Sequence, residues 1–572
     1  MPKRINILIL LSALFSSVIS ANSYVMPIGI PEAKIKFTET SPARPSNWSI
    51  EVPGYYYINY QNGNDAFPFG SELLPRKTIP KILPAGSYVE IAGEYYYTSG
   101  GVIKVYGEGT IDQWKANVAG PIWITGAKDN PGRFINAKTL VWGSNIYLTD
   151  MIIEKNSKIQ VGSGTDGYAA NNIVIKNNSF IGTLEMGNGA LLSVLGAKNT
   201  PSKNIILYDN SLKDAGDINN ETDIDAGLIV ISGYSSYIWA LKNIGQNASG
   251  GGLQINPRPP RDASHHIYAG NNEFFNVRQG GLWVKYATNV VFSSNYVHDI
   301  ISTPWSPAKG LGAQYEPNGL WIINNRIHDV EYGIRIPSTN NIDKLSLKVY
   351  IIGNIIYNIH TESEVGTSSA WESAGIHIQG ADERYIYNNL IYNAPNGINV
   401  SATSGQTTIK NNIVLKVNNG HAAGEQGFQV WSEHHNSLPD ISISNNFFNS
   451  NDMKVKLTSQ VFTTVNSLNN YLNSKNYSGS LDIEQLGLTN VLTNGFTENT
   501  LWDFGVNVFP ELSTTLAATV DSTLKLNFDI LNNSRISGNS VDIGPFEKVG
   551  ANPNIADVHI PAKPDSVSIS IE

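Results

Sequence analysis

The chain has 572 residues, of which 41% are hydrophobic and only 15% charged, with a formal net charge of −9. That acidic balance excludes a phosphate-gripping nucleic-acid surface, and the lack of cysteine excludes both a disulfide framework and a thiolate metal site. The 51 glycines and 10% aromatics suit tight turns around a stacked apolar interior, a solenoid that grows by adding coils.

At the N-terminus Lys3 and Arg4 precede the apolar run 7–18 and the small residues Ser20 and Ala21. This pattern predicts a signal peptide over 1–20, cleaved near Ser20/Ala21, and a secreted or periplasmic bacterial protein. The run is too short to span a bilayer, and no later stretch reaches spanning length, so no membrane insertion is expected. Residues 21–53 are aperiodic and contain proline and serine, predicting an extended leader. An all-β solenoid is predicted over 54–548, with regular coils to about 448 and irregular ones after, then a C-terminal tail over 549–572. A monomer is expected.

Ten times a β-branched run closes on an asparagine: Asn178, Asn210, Asn243, Asn272 and Asn295, then Asn325, Asn354, Asn389, Asn412 and Asn446. Their spacing of 23 to 35 residues is a solenoid period. Val, Ile and Tyr alternating with period two before Asn, Gly or Ser read as strand then turn. Strands without crossover helices stack as the coils of a right-handed parallel β-helix. The asparagines sit at one corner, tolerate a left-handed backbone, and form a side-chain ladder along the axis.

Between the corners runs a second repeat, Gly-apolar-X-apolar-X, at Gly252, Gly281, Gly312, Gly333, Gly375 and Gly397. Alternation sends the X positions outward. One column reads Gln254, Trp283, Gln314, Arg335, His377, Asn399, and the other Asn256, Lys285, Glu316, Pro337, Gln379, Ser401. With rungs about 4.8 Å apart, a lysine, an arginine, a histidine and a glutamate gather within roughly 15 Å. The third strand also fits after a slide of two residues. The preceding strand, from Gly227, is expected to turn Ile229 and Ile231 outward and end the patch. Nearby loops add Arg258 and Arg261, Trp305 and Lys309, and Trp371 and Glu372. Tryptophans beside a polar groove stack on the apolar faces of sugars.

These repeats resemble the pectate-lyase-like superfamily of right-handed parallel β-helices, especially bacterial polysaccharide lyases, and DIGPFE at Asp542–Glu547 resembles their closing strand. The resemblance implies an enzyme acting on an acidic polysaccharide along this outward strand. One branch of the group combines a lysine, an arginine and a calcium held by asparagine and glutamate; Asn256, Lys285, Glu316 and Arg335 look like that set. It implies Ca2+ on Asn256 and Glu316. In that branch the lysine and arginine stand on neighbouring coils, whereas here one coil intervenes between Lys285 and Arg335.

In β-elimination a base removes the proton on C5 of a uronate while positive groups neutralise its carboxylate. Lys285 flanked by Arg335 suits the base, Arg335 the carboxylate clasp, and His377 either the base or the acid that protonates the leaving oxygen. Two other readings stay open. Hydrolysis needs two carboxyl groups roughly 5–9.5 Å apart, and Asp223 and Asp225 stand about three coils, some 14 Å, from Glu316. A binding-only β-helix would hold the glycan uncut. The pairs His265–His266 and His434–His435 are expected to point to opposite faces of their strands.

Overall fold

A computed structural model describes residues 24–44 and, with gaps, 54–474, together with short pieces between 513 and 545. The signal-peptide expectation, most of the irregular C-terminal coils and the tail lie outside the described residues. Among the described residues no helix is long and apolar enough to cross a membrane.

Each coil contributes three strands, and each strand pairs in parallel with its counterpart one coil on. Gly280–Lys285, Thr288–Ser293 and Tyr296–His298 pair with Lys309–Gln314, Asn318–Ile323 and Arg326–Val330. The same three-strand step continues along the chain, giving the expected right-handed parallel β-helix. Its core is built from inward columns in strict register. One runs Ile229, Leu253, Leu282, Leu311, Ile334, Ile376, Ile398, none more than 1% exposed. Each such side chain contributes about 1.5–3 kcal/mol through its burial. The placement corrects one expectation: Ile229 and Ile231 are core residues, and Val230, paired with Gln254, faces out.

The asparagine ladder is present in full. From Asn178 to Asn412, each backbone N–H and each side-chain Nδ2–H donates to the Oδ1 of the next asparagine at 2.9–3.1 Å. All ten are buried. The left-handed backbone falls one residue earlier than expected, at Asn177, Asp209, Lys242, Asn271 and their equivalents. The ladder asparagine is thereby freed to aim its amide along the axis.

Of the predicted leader, residues 24–44 are described; they form neither helix nor strand and pack on the coils. They lie on an outward column of the second sheet, Tyr88, Trp123, Tyr147, Val174, Ile206, Trp239, Tyr268, Val291. Ile30 and Phe37 are buried against it. Trp239 Nε1 donates to the Pro31 carbonyl at 2.9 Å and the Tyr147 hydroxyl to that of Lys36 at 2.6 Å. At the other end the helix Val465–Ser474 buries Val465, Leu468 and Leu472 in the core. Val541–Asp542 pairs with Ser513–Thr514, and Gly544 bonds to the Asn411 carbonyl at 2.9 Å, docking the DIGPFE segment on the coils.

Candidate active site

The site sheet holds three outward columns where the sequence suggested two. In the first, Gln254 pairs with Trp283, Trp283 with Gly312, Gly312 with Arg335, Arg335 with His377 and His377 with Asn399. The Lys309–Gln314 strand has therefore taken the two-residue slide, and Lys285 stands beside Gln314 rather than Glu316. A Cβ on Gly312 would lie 2.0 Å from the Arg335 carbonyl oxygen and 2.8 Å from Trp283 Cζ3. Only glycine lets the Trp283 ring lie down over the next coil.

The third column is the residue ahead of each motif glycine. Gly280 pairs with Lys309, and Lys309 with Tyr332. Below them Gly251 and Gly227 occupy the same place, so three successive rungs carry no side chain there. They form the floor of a cavity of about 600 Å3, lined also by Asp225, Gln254, Gln279, Trp283, Lys285, Trp305, Lys309, Gln314 and Arg335. A Cβ on Gly280 would meet nothing nearer than 3.7 Å, and on Gly227 nothing nearer than 3.4 Å. Packing does not require glycine at those two positions; the open cavity does.

Three cations converge on this space. Lys309 is buried, its Nζ 4.9 Å from the Trp283 ring centroid and hydrogen-bonded to the Ser306 hydroxyl. The residue before it is pinned by Glu331, whose carboxylate accepts from the Ala308 N–H at 2.7 Å. Burial, then the charges of Arg335 and Lys285, push the Lys309 ammonium down to about 7. Burial also lowers Lys285, against the pull of Asp225. The Arg335 guanidinium lies 4.6 Å over the Tyr332 ring. Such a group holds an anion well, and Lys309 exchanges a proton near neutral pH.

Of the expected residues, Lys285, Arg335, Gln254, Trp283, Gln314 and Trp305 line the cavity. His377 does not. It is fully buried beneath Arg335, its Nε2 3.1 Å from the Ser401 hydroxyl and its ring stacked on Tyr332. Burial, then Arg335, holds it neutral with a pKa of about 3, so it serves as packing and not as acid or base. Asn399 is likewise buried. Gln379 and Asn256 are half-buried and outside the lining; Ser232 donates to the Asn256 carbonyl at 2.6 Å. Arg258, Arg261, Glu316, Trp371 and Glu372 lie outside the described residues, as do Asp223 and the His434–His435 pair. His265 and His266 do not diverge: left-handed backbone at His266 brings their Nδ1 atoms to 2.7 Å.

Of the expected calcium ligands, Asn256 stands outside the cavity lining and Glu316 lies outside the described residues; the lining itself holds one carboxylate, Asp225, among two lysines and an arginine. No cluster of three His, Asp or Glu suited to a metal occurs among the described residues.

The sequence reading placed Lys309 in a neighbouring loop and weighed Asp225 only as a carboxylate for hydrolysis; it missed Gln279 and the glycine floor. The signal was the doublet pattern GG, GG, KG, YG at positions 251, 280, 309 and 332. Counting outward positions from the motif glycine onward left the residue before it out.

No protein-family profile matches the sequence, and no curated protein matches it. Solved structures do. A rhamnogalacturonan lyase is 12% identical over 63% of this chain and 87% of its own, with a TM-score of 0.38. A mannuronic-acid-specific polysaccharide lyase from the human gut microbiota is 13% identical over 64% and 82%, at 0.35. A lacto-N-biosidase from Eubacterium ramulus is 11% identical over 69% and 68%, at 0.33. The likeness is one of coil architecture, and the fold stands on this chain's own strand register.

Proposed function

We propose that this cavity cleaves a uronate-containing polysaccharide by β-elimination, the chain being an alginate-like or bacterial matrix polymer. The observation that carries the reading is the convergence of Lys309, Lys285 and Arg335 over a bare glycine floor between two tryptophans. Arg335 and Lys285 hold the uronate carboxylate, which neutralises the charge that develops when C5 loses its proton. Lys309, as the neutral amine, takes that proton. The C5–H electrons form the C4=C5 double bond, the C4–O4 bond breaks, and O4 leaves with a proton from solvent or from the Lys285 ammonium. Lys309 and Arg335 stand on neighbouring coils, so the intervening coil noted for Lys285 is no obstacle. Trp305, 39% exposed, provides an apolar face for a flanking sugar, and Trp283 shapes the wall beside it. Hydrolysis is less well supported, because the described lining holds one carboxylate where two are needed.

The test is ultraviolet absorbance of the new double bond during incubation with uronans from algae, plants and bacterial matrices. A rise with wild type and none with Lys309→Met supports elimination through Lys309. Shortened chains without absorbance would replace it with hydrolysis, and tight binding of intact chains would make the protein a glycan binder.

A further inference from the structure

The mechanism leaves the buried Arg278 beside the cavity unused. Arg278 is 2% exposed, in the corner between the strand Glu273–Val277 and the site strand Gly280–Lys285. Its Nη1 donates to the Asn220 carbonyl at 3.0 Å and its Nη2 to that of Thr222 at 3.4 Å. Its guanidinium carbon lies 5.5 Å from the Trp305 ring. Asn220 and Thr222 belong to the segment that ends in Asp225, one wall of the cavity; Trp305 belongs to the segment that ends in Lys309, another wall. One buried guanidinium therefore touches both.

Its neighbour repeats the arrangement. Gln279 has a left-handed backbone, φ 69°, costly for a non-glycine residue. That turn lets its amide side chain donate to the Asp225 carboxylate. Its backbone N–H meanwhile bonds the Ile301 carbonyl at 3.0 Å, and its own carbonyl accepts from the Lys309 N–H at 3.1 Å. Both residues of the dipeptide thus join the Asp225 wall to the Trp305–Lys309 wall.

We propose that Arg278, seconded by Gln279, is a positioning residue that latches the two walls of the cavity to each other, so that Asp225, Trp305 and Lys309 are set as one unit. A buried arginine is a costly way to satisfy two carbonyls if stability were its purpose. Its planar fork serves carbonyl oxygens at the edge and an indole on the face, and a lysine cannot do both. The latch predicts communication between walls that are separated in sequence. Its effect on turnover rests on the lyase reading; the mechanical claim does not.

The experiment is amide hydrogen exchange on the full chain without ligand, resolved over 217–225 and 302–308. In Arg278→Met, exchange in both walls rises by about tenfold while the strand at 282–285 is unchanged. Trp305→Ala, which alters only the far wall directly, raises exchange in 217–225 by about threefold through the latch. Loosening of one wall only in the Arg278 variant, or an unaltered 217–225 in Trp305→Ala, overturns the proposal. Should Arg278→Met not fold, Arg278→Lys is read by the same criterion, with a smaller rise in both walls. On a uronan that wild type cleaves, Arg278→Met raises KM and lowers kcat, each by about tenfold, because Trp305 and Lys309 both lose their setting, and Arg278→Lys recovers part of both losses. An equal fall in kcat with KM unchanged would instead place Arg278 in the chemistry. If wild type cleaves no uronan, the lyase reading fails and the exchange data still decide the latch.

Discussion

The same coils present two outward faces with opposite treatment. On the second sheet the outward column is aromatic and aliphatic, from Tyr88 to Val291, and the chain's own residues 24–44 cover it. On the site sheet the column is amide, indole and cation, three rungs beside it are stripped to glycine, and the cavity above is left open. A solenoid makes every outward column from one repeat, so the departures from that repeat show where function was put. The covered face spends its side chains on stability. The open face keeps Lys309 buried among like charges and wastes packing space, which stability alone would not select.

The sharpest way to test this contrast is Lys309→Met. Activity should fall by about 10³-fold or more in kcat, while the melting temperature rises by roughly 1–3 °C as a buried charge is lost. For wild type, kcat/KM should climb as pH rises through about 7, because the proposed base acts as the neutral amine. A flat profile between pH 6 and 8, or an active Lys309→Met, would remove Lys309 from the chemistry. Next comes Gly280→Leu, whose Cβ would meet nothing nearer than 3.7 Å and whose branches point to the cavity. It should cost about 100-fold in kcat/KM and leave thermal unfolding unaltered; a comparable loss of stability would show the floor to be packing after all. On the covered face the pattern inverts. Trp239→Ala should destabilise by about 3–5 kcal/mol in denaturant titration, with kcat per folded molecule unchanged. An effect confined to acid pH is expected at His377. The unfolded imidazole takes a proton below its ordinary 6.5, which the folded one refuses until about 3. Stability therefore falls as pH drops between those values, and His377→Gln should lessen the loss between pH 7 and 4. An unchanged pH slope would mean that His377 protonates in place.

Much of the fold was legible because it is written as repetition. Ten asparagines gave the coil period from Asn178 to Asn446, and alternation assigned most inward and outward positions. The site was read less fully, for local reasons. Two glycines, Gly310 and Gly312, allowed two registers, and the choice between them moved Gln314 to the side of Lys285 and brought Lys309 into the third column. His377 obeys the outward alternation, yet Tyr332 and Arg335 bury it, a tertiary effect that period-two reasoning cannot see. Residues 24–44 carry no periodicity, because their conformation comes from the aromatic column beneath them. Asp225 and Arg278 sit outside every repeat and become site residues only when loops from different coils meet.

The asparagine ladder has a polarity. Every coil donates two N–H groups toward the C-terminus and receives them on one oxygen, so the chain of amides runs one way from Asn178 to Asn446. A solenoid cut after any coil therefore ends in a pair of buried donors pointing at nothing, whereas its other end shows an acceptor. Growth from the N-terminal side offers each arriving strand a ready template, and the strand that completes the pair need not come from the same molecule. The terminal helix Val465–Ser474 follows the last ladder asparagine and buries Val465, Leu468 and Leu472 in the core. Truncation before residue 460 should leave that end open to a second chain, and a rise in sedimentation coefficient is the check.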